Sequence, residues 1–351
     1  MDNMTIIAFQ MSNGATIDFK GTRVLVTGAT GFTGSWLVRK LAEAGAQINA
    51  IVRPETSVDR FNDLNINWFR GNVFDEAVVA EACRDVDYVF HLATVYRKPG
   101  SSDDLNRLVH VEGTKLLAKA AVKNRAFRRF IHVSTVGVHG HIEAPPANED
   151  YRFSPGDEYQ ETKLEAEQWL KQFALENKLS FTIVRPTAIY GPGDTRLLKL
   201  FKLASKRFVF LIGQKDLYYH MIHVEDLVGL MLTAAQTKSA ENEAFIFGNI
   251  EPCRIGRIVD VIAKELGHSY RIVRLPVQPF VAAAVVCEAL CKPFGINPPL
   301  HRRRVAFFTK ERWFDTSKLR AKLDYKFKYS IEDGLRQTTR WYVEHGELKR
   351  N

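Results

Sequence analysis

A strand-like run, Arg23-Val-Leu-Val-Thr27, leads straight into Gly28-x-x-Gly31-x-x-Gly34, and a helical pattern with Leu37, Leu41 and Ala44 on its inner side follows. No other stretch restricts the fold so tightly. Glycines in this order let a backbone come close to a pyrophosphate and turn a helix N-terminus toward its charge. A glycine triplet alone is a weak signal. Here the strand precedes it, the helix follows it, and Gly45 stands where that helix should stop, so the context the motif requires is present. The expectation is a βα unit that binds a dinucleotide.

The surrounding sequence repeats the same alternation. Apolar strand-like runs occur at 23–27, 47–52, 66–69, 88–92, 129–133 and 181–184, with helical patterns between them at 34–44, 76–83, 104–123 and 159–177. Strands apolar on both faces and separated by helices specify an α/β fold, a doubly wound parallel sheet covered on each side. The division expected is a disordered extension over 1–20, a dinucleotide domain over 21–186, and a smaller, discontinuous C-terminal substrate lobe over 187–351. Tyr190-Gly-Pro-Gly193 marks the turn into that lobe, and the chain is expected to re-enter the sheet near Ile222–Leu232 and Ala244–Asn249.

Composition narrows the function classes. The chain has 351 residues, 46% hydrophobic and 25% charged, which is ordinary for a soluble globular protein. The first 20 residues lack the basic-then-apolar order of a signal peptide, and Met11 is a candidate natural start. Cys83, Cys253, Cys287 and Cys291 form no CxxC pair and read as reduced thiols of a cytoplasmic protein. The net charge of +9 is scattered rather than clustered with aromatics, so a solvated basic face is preferred to a nucleic-acid site. No cysteine or carboxylate completes a zinc set with the histidines, so no metal is expected. The apolar run 277–291 is broken by Glu288, bounded by Pro279 and Pro293, and too short to span a bilayer. It reads first as a buried helix of the second lobe. The alternative is a lid or interfacial helix, with 277–304 making weak contact with a membrane surface through Arg302 to Arg304.

Two further segments carry chemistry. Tyr159-Gln-Glu-Thr-Lys163 opens a helix, and the spacing puts phenol and ammonium on one face. A phenol ordinarily titrates near ~10; a fixed positive charge beside it favours the phenolate and makes it a usable acid or base. Phe130-Ile-His-Val-Ser-Thr135 is a strand that ends in two hydroxyls, at the edge of the sheet where ligands bind. Either Ser134 or Thr135 could meet a substrate oxygen there.

The ordered motifs Thr27-Gly28-x-x-Gly31-x-x-Gly34, His91-Leu-Ala93, Val111-Glu-Gly-Thr114, Val133-Ser-Thr135, Tyr159-x-x-x-Lys163, Arg185-Pro-Thr-Ala-Ile-Tyr-Gly-Pro192 and His223-Val-Glu-Asp226 together resemble an extended short-chain dehydrogenase/reductase with a Rossmann domain. The resemblance covers most of 22–345. It implies that Tyr159 is the catalytic acid/base, that Lys163 binds the nicotinamide ribose and lowers the tyrosine pKa, and that Thr135 is the catalytic hydroxyl, with Ser134 kept beside it. Cofactor contacts are expected from Gly28, Thr30, Gly31, Phe32, Thr33 and Gly34, from Arg53, Asn72 and Val73, and from Leu92, Ala93 and Thr94. Val133, Tyr159, Lys163, Pro186 and Ile189 complete that set, and Thr94, Tyr96, Thr135, Thr187 and Ala188 are the substrate-facing positions. Relatives also form homodimers through the helices 104–123 and 159–177. Two positions depart from the pattern: His110 stands where asparagine is usual, and Asn72 where aspartate is.

The second strand ends in Arg53 rather than the acid that an NAD site uses for the ribose hydroxyls. NADP is therefore favoured over NAD, the alternative being that Arg53 stacks on adenine. A sugar-nucleotide dehydratase would carry an acidic pair after Thr135, where Val136-Gly137 stand. A sugar-nucleotide epimerase with tightly held NAD commonly has asparagine where Ala188 precedes Ile189; it stays as the alternative. The preferred expectation is an NAD(P)-dependent oxidoreductase of the 3β-hydroxysteroid dehydrogenase-like or dihydroflavonol reductase-like branch, acting on a small, largely apolar alcohol or ketone. A non-catalytic dinucleotide sensor would have no need of Thr135, Tyr159 and Lys163.

Overall fold

Alternation along each strand decides where the helices go. The computed structural model describes residues 17–95, 103–291, 298 and 310–350. Strands β1 (Arg23–Thr27), β2 (Gln47–Val52), β3 (Ile66–Arg70), β4 (Tyr88–His91), β5 (Arg129–Val133) and β6 (Phe181–Pro186) hydrogen-bond in parallel, in the order β3-β2-β1-β4-β5-β6. Val24 and Val26 of β1, Phe90 of β4 and Ile131 of β5 point to one side, into a core shared with Leu37 and Leu41 of α1 (Phe32–Glu43). Leu25, Val89 and Phe130 point to the other side, against Val79 of α2 (Glu76–Ala82), Leu117, and Leu170 and Ala174. A period of two thus feeds two apolar faces, and each must be covered by helices. The order reverses between β1 and β4, which opens a crevice at the strands' carboxyl ends.

The third helical stretch is not one regular helix. It runs as α3 (Asp103–Arg107), a π-helical turn at Leu108–Glu112, and α4 (Gly113–Ala121). Helix α5 (Glu158–Asn177) starts at an Asp157 cap that accepts from the Gln160 N–H at 2.9 Å.

Ile222–Leu232 does not enter the sheet as expected. Strand β7 (Ala188–Tyr190) is followed by α6 (Leu198–Ala204), β8 (Phe208–Ile212), β9 (Tyr218–Tyr219) and β10 (Met221–His223), and β10 pairs with β7 in a separate two-stranded sheet. Residues Val224–Gln236 then form α7, laid against the α1 side of the sheet and buried at every position from Val224 to Ala235. A helix buried all round has no polar stripe, so its sequence reads like a core strand. The seventh strand, β11 (Glu243–Phe247), pairs in parallel with β6 and completes the sheet.

Beyond the sheet, β12 (Cys253–Arg254), α8 (Ile255–Glu265) and β13 (Arg271–Leu275) precede α9 (Gln278–Cys291), α10 (Ser317–Lys322) and α11 (Ile331–Glu344). A third apolar cluster, including Tyr190, Phe201, Ile258, Ile262, Leu335 and Tyr342, binds α6, α8 and α11 together. Glu225 and Asp226 tie α7 to the segment before α11. Asp226 accepts from the Tyr325 hydroxyl at 3.0 Å and the Lys328 N–H at 2.7 Å, and Glu225 from Lys328 Nζ at 2.6 Å. The expectation of a buried helix at 277–291 is corrected. Helix α9 buries only Ala284 of its own residues, and Val281, Val285, Val286 and Leu290 are exposed. Among the described residues no helix is long and apolar enough to cross a membrane.

One buried ion pair joins helix to sheet. Arg185 of β6 and Glu167 of α5 are each 1% exposed; Nη2 donates to Oε2 at 2.7 Å, while Nη1 donates to the Glu149 carbonyl at 2.9 Å and the guanidinium lies 5.0 Å over the Phe153 ring. Removing one partner strands the other charge. Glu167→Ala should therefore lower the unfolding free energy by ~3–5 kcal/mol, whereas Glu165→Ala, which breaks the exposed pair with Arg107, should cost under ~1 kcal/mol. Urea unfolding of the two variants checks this; equal losses would show that the buried pair does not tie α5 to β6.

Candidate active site

The glycine loop has no room for a side chain at Gly28 or Gly34. Gly28 has φ +72, and a Cβ there would come within 2.9 Å of the Leu92 and Ala93 backbone; a Cβ on Gly34 would meet the Gly28 carbonyl oxygen at 2.0 Å. The loop is thereby pressed against the end of β4. Helix α1 begins at Phe32 with Gly31 as an uncapped N-cap and no acidic residue in its first turn. Its first N–H groups have no intrahelical acceptor and carry the positive end of the helix dipole. These features fit the pyrophosphate of a dinucleotide. Thr27 fixes the neighbouring strand: its Oγ1 accepts from the Ala93 N–H at 3.2 Å and lies 2.7 Å from His91 Nδ1.

Helix α5 supplies the reactive pair. Tyr159 is in its first turn and Lys163 one turn later on the same face. Lys163 is 2% exposed, and its Nζ donates to the Val133 carbonyl at 3.0 Å. Burial pushes its pKa down to about 8, with Glu167 on the next turn acting the other way. Burial and the Lys163 charge push His91 down to about 3 and hold His110 and His132 far below the usual imidazole value. Three neutral imidazoles therefore lie within the field of one ammonium. The His110 ring meets Tyr159 edge-on, with centroids 5.3 Å apart.

The two candidate hydroxyls are placed differently. Ser134 is 3% exposed and its Oγ is buried without a hydrogen-bond partner. Thr135 opens a 3-10 turn, accepts from the Gly137 N–H at 3.0 Å, and lines a cleft of about 1060 Å³. Pro186, Thr187 and Ala188 form that cleft's floor with Thr135, and Lys199, Lys310 and Arg312 lie along it. A larger groove of about 1310 Å³, lined by Arg39, Trp68, Arg70 and Arg84, contains none of the expected site residues.

Other expected positions are scattered in role. Ile189, Leu92 and Val133 pack partly into the sheet core, and Val73 lies against Gly113. The Asn72 carbonyl accepts from the Asp75 N–H at 3.0 Å. Arg53 is 70% exposed, with a 3.5 Å contact to Glu55. Tyr96 lies outside the described residues. Two residues were not expected. Arg60 donates to the Thr30 carbonyl of the glycine loop and stacks 4.7 Å from the Phe61 ring, and it belongs to no motif that could have announced it. His110 was visible only as a departure from a pattern. No group of three metal-binding side chains occurs among the described residues.

A family model, the NAD dependent epimerase/dehydratase family, matches residues 24–248; the chain belongs to that family of extended short-chain dehydrogenases/reductases. Its similarity runs to hydroxysteroid-type members. The 3 beta-hydroxysteroid dehydrogenase/Delta 5-->4-isomerase of Mycobacterium tuberculosis is 27% identical over 94% of this chain and 92% of its own length. The ceramide reductase of Caulobacter vibrioides is 27% identical over 93% and 96%. The crystal structure of gox2253 superposes with a TM-score of 0.79 at 27% identity, covering 93% of this chain and 99% of that one.

The buried ammonium has a measurable signature. Lys163 loses its proton at about 8 in the folded chain and near its ordinary 10.5 when unfolded. Across that window the unfolded state binds more protons, so stability rises with pH there, and below it the cost of burying the charge is fully present. Relative to wild type, Lys163→Met should be at its most stable near neutrality and lose that advantage between about pH 8 and 10.5. Urea midpoints of both proteins across this range test it; a difference that does not change with pH would refute the burial of a charged lysine.

Proposed function

We propose that this chain interconverts a secondary alcohol and its ketone on a largely apolar substrate, with Tyr159 moving the proton. A bound nicotinamide dinucleotide would supply or accept the hydride. The observation that carries this reading is Lys163, buried one turn from Tyr159 and fixed to the carbonyl of Val133, two residues before the cleft hydroxyl of Thr135. An ammonium held there favours the phenolate of Tyr159 and can hold a ribose hydroxyl, while Thr135, already accepting from Gly137, has its own proton left for a substrate oxygen. The relatives named for hydroxysteroid and ceramide chemistry support an apolar substrate.

The preference proposed is for NADP(H). Arg53 at the end of β2 and Arg60 beside Thr30 put two guanidinium groups near the glycine loop, and a 2′-phosphate suits forked, charge-assisted contacts. A second reading, nucleotide-sugar epimerisation, draws on Lys199, Lys310 and Arg312 along the cleft, which would suit a diphosphate. Incubation with a 3β-hydroxysteroid or UDP-glucose, and mass spectrometry of what the purified protein retains, separates the two. Steroid turnover with exchangeable cofactor is expected; tightly held NAD(H) with sugar epimerisation would replace this reading.

Tyr159→Phe should lower kcat by at least ~10² with little change in cofactor affinity, and Thr135→Ala should cost more than Ser134→Ala; near-normal turnover in Tyr159→Phe would end the assignment. Arg53→Asp should weaken NADPH by ~1.5–3 kcal/mol, tenfold or more, and bring NADH to parity or better. Calorimetric titration decides: equal loss of both cofactors would mean that Arg53 only stacks on adenine.

A further inference from the structure

The hydrogen bonds of His110 resolve to one tautomer. The ring is 0% exposed within the π-helical turn, with Nδ1 2.8 Å from Thr162 Oγ1 and Nε2 2.9 Å from Thr94 Oγ1. Two neighbours decide the roles. The backbone N–H of Val95 points at Nε2 from 3.4 Å, so Nε2 is the acceptor. On the other side, Thr162 Oγ1 donates its single proton back along α5 to the Glu158 carbonyl at 2.9 Å, with the Tyr159 carbonyl at 3.2 Å. Toward His110 it therefore accepts, and Nδ1 carries the hydrogen.

The consequence reaches Thr94. With Nε2 accepting, the Thr94 hydroxyl gives its only proton to His110. Thr94 is exposed just beyond β4, at the carboxyl edge of the sheet, and what it presents there is lone pairs. We propose that His110 is a positioning residue that commits Thr94 to accept a hydrogen bond from a hydroxyl group of the bound ligand. A ligand carbonyl at that point would set lone pairs against lone pairs. A second proton on His110 is opposed by burial and by Lys163, so the arrangement holds throughout the neutral pH range. The hydroxyl belongs to the cofactor's ribose or to the substrate. Only that choice rests on the function proposed above; the tautomer does not.

Nitrogen-15 NMR of histidine-labelled protein, with His110 assigned by its loss in His110→Phe, reads the tautomer directly. A protonated Nδ1 and a bare Nε2 are expected, and a hydrogen on Nε2 overturns the proposal whatever the enzyme catalyses. Thr94→Val, Thr94→Ser and His110→Phe, the last keeping an aromatic edge against Tyr159, are then titrated with NADH and NADPH and assayed with a 3β-hydroxysteroid. Thr94→Val and His110→Phe should each weaken one ligand about three- to tenfold, with Thr94→Ser like wild type. Weaker cofactor binding assigns the ribose. A raised KM for the steroid at unchanged kcat and cofactor affinity assigns the substrate. Unchanged cofactor affinity and unchanged KM in Thr94→Val refute the proposal. Where wild type turns over no steroid, the proposed function fails, and unchanged cofactor affinity in Thr94→Val is then enough to refute this one as well.

Discussion

The ammonium of Lys163 sits where α5 crosses the end of β5, bonded to the Val133 carbonyl and closed off from solvent. A charge in that position dictates its surroundings, because attraction and repulsion are screened far less there than in water. Burial first, and this charge second, keep His91, His110 and His132 neutral, so these rings contribute shape and hydrogen bonds and no net charge. One turn away it has Tyr159, and one turn the other way Glu167, whose carboxylate passes the compensation on to Arg185 of β6. Tyr159, Lys163 and Glu167 lie four residues apart on one helix. The same stripe that faces the ligand edge is the stripe that anchors the helix to the sheet.

The sheet brings the remaining parts to this point. Parallel pairing puts the ends of β1, β4 and β5 side by side, and the site draws on the residues that follow each of them: the glycine loop, Thr94 and Thr135. Gly28 holds the loop down on the end of β4, and Gly34 holds the start of α1 down on the loop, through contacts that leave no room for a side chain. On the far side, Pro186 to Ala188 bring the chain from β6 to β7, so the cleft is floored by the sheet and walled by residues that come much later in sequence.

Much of this was legible in residue order. The six strands up to 186 showed as short apolar runs; the limits of β1, β2 and β5 are as expected, and those of β3, β4 and β6 differ by one or two residues. The glycine spacing marked the loop, and the four-residue step from Tyr159 to Lys163 marked the helix face. What stayed hidden was set by tertiary contact. Helix α7 is buried on all sides, so Val224 to Ala235 lacked the polar face that identifies a helix. Helix α9 has the composition of a core helix, yet Ala284 is its one buried residue. The π-helical turn that brings His110 inward has no periodicity of its own, and Arg60 gains its place beside Thr30 only through the fold.

The position of β11 has a kinetic meaning. It is the last strand of the sheet, yet its partner β6 ends at Pro186, and the chain makes β7 to β10 and two helices before Glu243 arrives. Contacts between segments so far apart in sequence raise the contact order and slow folding. On a ribosome, the first six strands emerge with the outer edge of β6 still unpaired, and an open parallel edge is a place where nascent chains associate wrongly. Closing that edge requires the intervening lobe to come back over the sheet. The lobe that walls the cleft is thus also the loop whose closure finishes the domain, and a chain cut short before Phe247 would be left with the edge of β6 exposed.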